Sequence, residues 1–302
     1  MGYRRPLISC YPANVRAPTF SRGLALACAA VLSASVASAQ KPDAAKPAPA
    51  AAAAKKEAKP AAVDVAPAVK KLESGDPEQI RSALDDLRIA GPGAAAAGPA
   101  VAKVLAHGLT LPLTETAIET LADLESEAGS AAIAPYAQHR NLKVRRAAVK
   151  ALARTKGAAA GPALRRALSD ADPVIRGTAA SGLGALKAKD AVGDLFVALD
   201  HKVNEAAASI GQLCAPEQCD QLATKLGKMP FDVVSGALDQ VLFRPDMSED
   251  AKIKVIGRVR ELGTIEANKF LRDVQQRWPQ TGSKRVRQSI DQAVIATSGG
   301  TQ

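Results

Sequence analysis

The amino-acid sequence predicts an all-α fold, an α-α superhelix or solenoid of about seven helical pairs. Three observations carry this reading. From about residue 64 onward the apolar residues recur at helical spacing, with no strand-like run. A proline phrase repeatedly opens a helix. A second phrase, at a spacing near 31 residues, opens its partner helix.

The first phrase is Pro67-Ala-Val-Lys-Lys-Leu72, again Pro99-Ala-Val-Ala-Lys-Val-Leu105, and again Pro162-Ala-Leu-Arg-Arg-Ala-Leu168. Proline in the first helical turn loses no useful hydrogen bond and presets φ, so each phrase marks a helix start. Apolar pairs four apart follow at Val101/Leu105, Leu164/Leu168, Leu195/Leu199, Leu222/Leu226 and Val255/Val259.

The second phrase follows a short turn. Asp76-Pro77, Asn141-Leu142 and Asp172-Pro173 each open a partner helix. The frame positions Leu113, Val144, Ile175, Val203 and Val234 lie 31, 31, 28 and 31 residues apart. No single pair has a core of its own, so only stacking buries these faces. A last helix is expected near Arg285–Ile295.

The stretch Pro162 to Leu183, with its Asp-x-Asp-Pro-x-(Val/Ile)-Arg core, resembles the HEAT-repeat family. Its Ala-rich character is closest to the bacterial, exported repeats related to phycobilisome lyases. The resemblance spans about 64–297 and is strongest over 130–190. It implies a HEAT/armadillo-like solenoid whose second helices line a concave face. It also implies that Arg145 and Arg176 bond to a neighbouring repeat's turn.

The N-terminus reads as a secretory signal over residues 1–39. Arg4, Arg5, Arg16 and Arg22 precede an apolar run from Leu24 to Val36, and Ala37-Ser38-Ala39 offers small residues for cleavage. That run is shorter than the roughly 20 residues needed to span a bilayer. The mature chain is expected to begin at Gln40, without a transmembrane segment, in the periplasm or outside the cell. Residues 40–63 form a Pro/Ala/Lys-rich, disordered linker, either a passive spacer or a basic strand making weak contact with anionic envelope polymers. The solenoid covers 64–297, and 298–302 is a disordered tail.

The net charge of +10 overstates the charge of the repeats. Four arginines belong to the signal, and the linker and first helix carry seven lysines against three acids, which leaves the remainder about +2. That balance does not suit nucleic acid. Cys214 and Cys219 are the cysteines left after the signal, and an even pair in an exported chain favours a disulfide. A structural zinc site would need further ligands.

Glu115, Glu119 and Asp123 lie four apart on one second helix. Arg146, Lys150 and Arg154 occupy the equivalent places 31 residues on. Facing stripes of this kind predict an inter-repeat ion-pair ladder. The next helix carries Gly177, Ser181 and Ala185 there. The zone from Arg145 to Ser181, comprising Arg145, Arg146, Lys150, Arg154, Gly177 and Ser181, is the candidate partner-binding surface. His107, His139 and His201 form no triad-like arrangement, and Gly91 to Pro99 lacks a phosphate-loop lysine. The expected function is a non-enzymatic scaffold or adaptor for a protein or peptide, with no cofactor or metal. A structural, envelope-tethered component is the alternative, and a lyase-like subunit follows from family analogy alone.

Overall fold

The computed structural model describes residues 63–299, so the expected signal, nearly all of the linker, and residues 300–302 lie outside the described residues. Among the described residues all regular structure is helical. The first pair is α1 (Ala66–Leu72) and α2 (Pro77–Ala90), and the second is α3 (Gly98–His107) and α4 (Leu111–Asp123). In the third pair α5 (Glu127–Ile133) is extended by a 3-10 turn over Ala134–Gln138 and is followed by α6 (Leu142–Leu152). Next come α7 (Ala160–Ala167) with α8 (Pro173–Ala185), and α9 (Val192–Asp200) with α10 (Glu205–Leu213). The last pairs are α11 (Pro216–Ala223) with α12 (Phe231–Phe243) and α13 (Glu249–Leu262) with α14 (Ile265–Arg277); α15 (Lys284–Ser298) ends the stack.

The helix starts follow local chemistry. The Asp76 carboxylate accepts from Glu78 N at 3.1 Å, Asn141 Oδ1 from Lys143 N at 2.9 Å, and Asp172 Oδ1 from Ile175 N at 3.0 Å. Each removes an orphan donor at the N-terminus of α2, α6 and α8, at about 1 kcal/mol per cap. Prolines stand in the first turn of α1, α2, α3, α4, α8 and α11.

Packing then sorts the helices into two layers. The second helices form a continuous row in which α4 contacts α2 and α6, and α8 contacts α6 and α10, which in turn packs on α12. The first helices sit on the other side, where α3 packs on α5 and α11 on α13. Leu121, Leu152 and Leu183, spaced 31 residues apart, are all fully buried where the layers meet. Burying a leucine contributes roughly 1.5–3 kcal/mol, so this one register position anchors three repeats.

One frame residue differs from expectation. Val203 is buried but precedes α10, and Ala206, wholly buried and 31 residues after Ile175, takes the frame position inside the helix. The 28-residue step therefore falls one repeat later than the sequence suggests, between Ala206 and Val234.

The C-terminal repeats hold two aromatic pairs. Phe243 meets Trp278 at 5.7 Å and Phe231 meets Phe270 edge-on at 6.2 Å between ring centres. α15 closes this end against α13 and α14, where buried Asn268 donates to Thr297 Oγ1 at 2.8 Å and to the Val294 carbonyl at 3.1 Å. The helix runs to Ser298, one residue beyond the expected solenoid end.

The segment Pro77–His107 is long and apolar enough to cross a membrane by length and composition. Its backbone is not one rod. The chain turns at Gly91, with φ 55°, and leaves helical geometry at Ala94. The two halves then enter different layers, α2 against α4 and α3 against α5.

Candidate interaction surface

The second-helix row carries the predicted charge stripes, and their pairing is only partly the expected one. Arg154 Nη2 donates to Asp123 Oδ1 at 2.9 Å, joining α6 to α4. Asp123 and Glu119 also receive Arg88 of α2, at 3.4 and 3.2 Å. The acidic stripe is thus held from both sides. Arg88 lies 31 residues before Glu119, so the repeat spacing itself carried the signal that sequence reading missed.

The other two expected rungs do not form. Arg146 turns away from Glu115 and clamps Asp172, with Nε to Oδ1 at 3.2 Å and Nη2 to Oδ2 at 2.6 Å. The reason is preorganisation. Asp172 is already fixed by capping Ile175 N, so a bidentate guanidinium pair costs little further ordering. The Arg146 hydrogen bond and charge hold the Asp172 carboxyl below the usual range, and the same bond raises the guanidinium. Among the described residues, Glu115 and Lys150 take part in no ion pair. Lys150 instead lines a small depression of about 120 Å³ with Arg88, Glu119, Asp123 and Arg154.

Arg145 and Arg176 both work inside the fold. Arg145 binds Asp170 of the next repeat's turn and also donates to the His139 and Arg140 carbonyls of its own turn, at 3.1 and 3.3 Å. Arg176 reaches only its own turn, the Asp170 and Ala171 carbonyls at 2.8 and 3.0 Å. Adjacent arginines Arg145 and Arg146 therefore grip the two carboxylates of one turn, Asp170 and Asp172.

The small-residue helix α8 divides in the same manner. Gly177 is buried, and a Cβ there would lie 2.8 Å from the Glu205 carboxylate, so Gly177 is covered by α10 and offers no binding patch. Gly182 admits Ala153, which caps the C-terminus of α6, and Gly184 admits Ser209 of α10, whose hydroxyl donates to the Ala180 carbonyl at 2.8 Å. Ser181 and Ala185 are exposed. Of the six candidate residues, Lys150 and Ser181 are the exposed ones without an ion pair or hydrogen bond to a described residue.

Cys214 directly follows α10, and Cys219 lies in the first turn of α11. Both are fully buried, with Cα atoms 5.4 Å and sulfurs 2.04 Å apart. Arg244, from the end of α12, donates to the Gly211 and Cys214 carbonyls at 3.2 and 2.9 Å, satisfying the C-terminal acceptors of α10. His107, His139 and His201 all fall at turns joining first to second helices.

Comparison with known proteins matches residues 112–177 to the family model of HEAT repeats. No curated protein matches the chain. Among solved structures, the complex of CpcE and CpcF of phycocyanin lyase from Nostoc sp. PCC7120 aligns at 18% identity and TM-score 0.43, covering 78% of this chain and 95% of that one. An engineered protein aligns at 16% identity and TM-score 0.43, covering 78% of this chain and 68% of that one. A second engineered protein gives 18% identity and TM-score 0.37, with coverage of 79% and 98%. Residues 112–177 thus match HEAT repeats, and helical pairs of the same layered arrangement continue on either side of them, so the described residues form a helical-repeat α-solenoid.

Proposed function

We propose that this protein is an exported, non-enzymatic adaptor that holds a protein or peptide partner on its row of second helices. The observation that carries the reading is the unbroken packing of α2, α4, α6, α8, α10 and α12. It presents side chains of several repeats on one rigid surface, the form in which solenoids bind extended partners. Within that row Lys150 and Ser181 form the exposed centre, bordered by the neutralised pairs Arg146–Asp172 and Arg154–Asp123. Their neighbours are already committed to the fold, so these two can meet a partner without dismantling a repeat contact.

The burial of Cys214 and Cys219 side by side, with Cα atoms 5.4 Å apart, supports a disulfide and, with the signal-like N-terminus, a periplasmic or secreted location. The lysine-rich stretch before the repeats favours a second reading, an envelope component tethered by residues 41–62 through anionic polymers. In-cell cross-linking followed by purification of the tagged protein tests both. The Lys150→Glu/Ser181→Trp variant should lose the wild type's cross-linked partner while melting at the same temperature. Deleting 41–62 should leave an adaptor's partner in place, but release a tethered protein from the envelope. A purified wild type that turns over a substrate would overturn the adaptor reading.

A further inference from the structure

The edge of the stack where first helices turn into second helices carries two equivalent clefts of different chemistry. The first, of about 540 Å³, lies between the turns of the first two repeats and is walled by Leu72, Ile80, Val104, Leu109 and Leu113. The second, of about 300 Å³, lies between the turns of the third and fourth repeats and is lined by His139, Arg140, Arg145, Arg166 and Asp170 together with Gln138 and alanines. Their walls correspond position by position. Ala100, Lys103, Val104 and His107 of the first recur 63 residues later as Ala163, Arg166, Ala167 and Asp170 of the second. Between them Tyr136 packs across the intervening repeat boundary, its hydroxyl donating to the Leu105 carbonyl at 2.7 Å.

The second cleft is cationic after internal pairing. Asp170 is consumed by Arg145 and by the Asp172 backbone N–H, at 3.0 and 2.8 Å. Arg140 and Arg166 are exposed and form no ion pair with a described residue, nor does Lys103 at the rim of the first cleft. His139 Nδ1 accepts from Asn141 N at 3.1 Å, which leaves Nε2 as the ring's donor. Between and beside the clefts, Leu111, Leu142 and Val174 stand exposed at 46%, 39% and 54% in the first turns of α4, α6 and α8. The edge thus offers an apolar recess, an apolar row, and two guanidiniums whose forks match carboxylates.

We propose that this turn edge docks an extended acidic segment of a partner protein, its carboxylates on Arg140 and Arg166 and an aliphatic anchor in the Leu72–Leu113 recess. Two helix spacings of roughly 10 Å separate the clefts. An extended chain covers that distance in about six residues. The proposal deepens the adaptor reading and rests on it, but uses a different face from the second-helix row.

The test is fluorescence anisotropy of labelled ten-residue peptides on the purified full chain. Each peptide carries Leu-Leu and Asp-Glu six positions apart, in either chain order. One order should bind, with affinity falling about tenfold when Asp-Glu becomes Asn-Gln, the loss expected for roughly one charge-assisted contact. Arg140→Glu/Arg166→Glu should reduce binding at least as much, and replacing Leu-Leu by Ser-Ser should weaken it independently. If the charge reversal lowers the melting temperature, Arg140→Gln/Arg166→Gln carries the same test. Binding by neither order, equal binding of the amide peptide, or full binding by the arginine variants overturns the edge site. Those outcomes with cross-linked partner capture intact would leave the adaptor reading standing, whereas a wild type that captures no partner would remove that reading whatever the peptides do.

Discussion

Arg145 and Asp170 form a two-pronged pair across a repeat boundary, Nε to Oδ2 at 3.0 Å and Nη2 to Oδ1 at 3.3 Å. Both side chains are largely withdrawn from solvent, at 19% and 13% exposure. The same guanidinium also satisfies two carbonyls of its own turn. Removing one member strands the other, and this penalty exceeds the net worth of the pair. Arg145→Ala should therefore cost about 2–3 kcal/mol in urea unfolding. Arg145→Lys should recover little, because an ammonium cannot serve the carboxylate and both carbonyls at once.

The acidic stripe on α4 gives a second prediction through its unexpected partner. Glu119 pairs with Arg88, not with Lys150. In double-mutant cycles Glu119→Lys should couple to Arg88→Glu and add independently to Lys150→Glu. Asp123 and Arg154 should couple as well. Each coupling should be about 0.3–1 kcal/mol and shrink at high salt, since these side chains are substantially exposed. Coupling of Glu119 to Lys150 instead would contradict the pairing described here.

Two glycines make opposite predictions for the same substitution. A Cβ at Gly211 would lie 2.4 Å from the Ala237 carbonyl oxygen, a backbone atom that cannot step aside. Gly211→Ala should destabilise by about 1–3 kcal/mol or more. Gly257 lies inside α13 with nothing within 4 Å of its Cβ position. Gly257→Ala should stabilise by up to about 1 kcal/mol, through helix propensity alone. Thermal melts of the two variants suffice to compare them.

Asp246 supplies the pH dependence. Its hydrogen bonds with Arg244, at 3.0 and 2.8 Å, lower its carboxyl to about 2. A depressed folded value stabilises the folded state above the unfolded pKa of about 3.9 and is lost as pH falls through the folded value. The contribution of this pair should therefore fade between about pH 4 and pH 2. Carbon-detected NMR titration should find Asp246 titrating near 2, and in Arg244→Ala the carboxyl should return toward the ordinary range.

The buried cysteines make the remaining prediction. Intact-mass measurement of the exported protein without reductant should show the loss of two hydrogens, and Cys214→Ser/Cys219→Ser should cost about 2 kcal/mol. Two alkylatable thiols in that protein would refute the disulfide and weaken the case for export.

What the sequence determined by itself is the repeating local frame. Prolines in first turns and the caps at Asp76, Asn141 and Asp172 act within one or two helical turns, and they recur with the leucines spaced 31 residues apart. Their physics needs no distant partner, so the solenoid was legible before any coordinates. Only the tertiary structure decided how the charges and small residues are used. Arg146 could reach Glu115 or Asp172, and the turn carboxylate won because its own capping bond already held it in place. Gly177 could have been an open patch or a socket, and Glu205 of the next repeat fills it. Long side chains choose among acceptors several ångströms apart, and sequence spacing names the candidates without ranking them. The ranking comes from which groups the packed repeats have immobilised, and it leaves Lys150, Ser181, Arg140 and Arg166 open to solvent while their neighbours are spent on the fold.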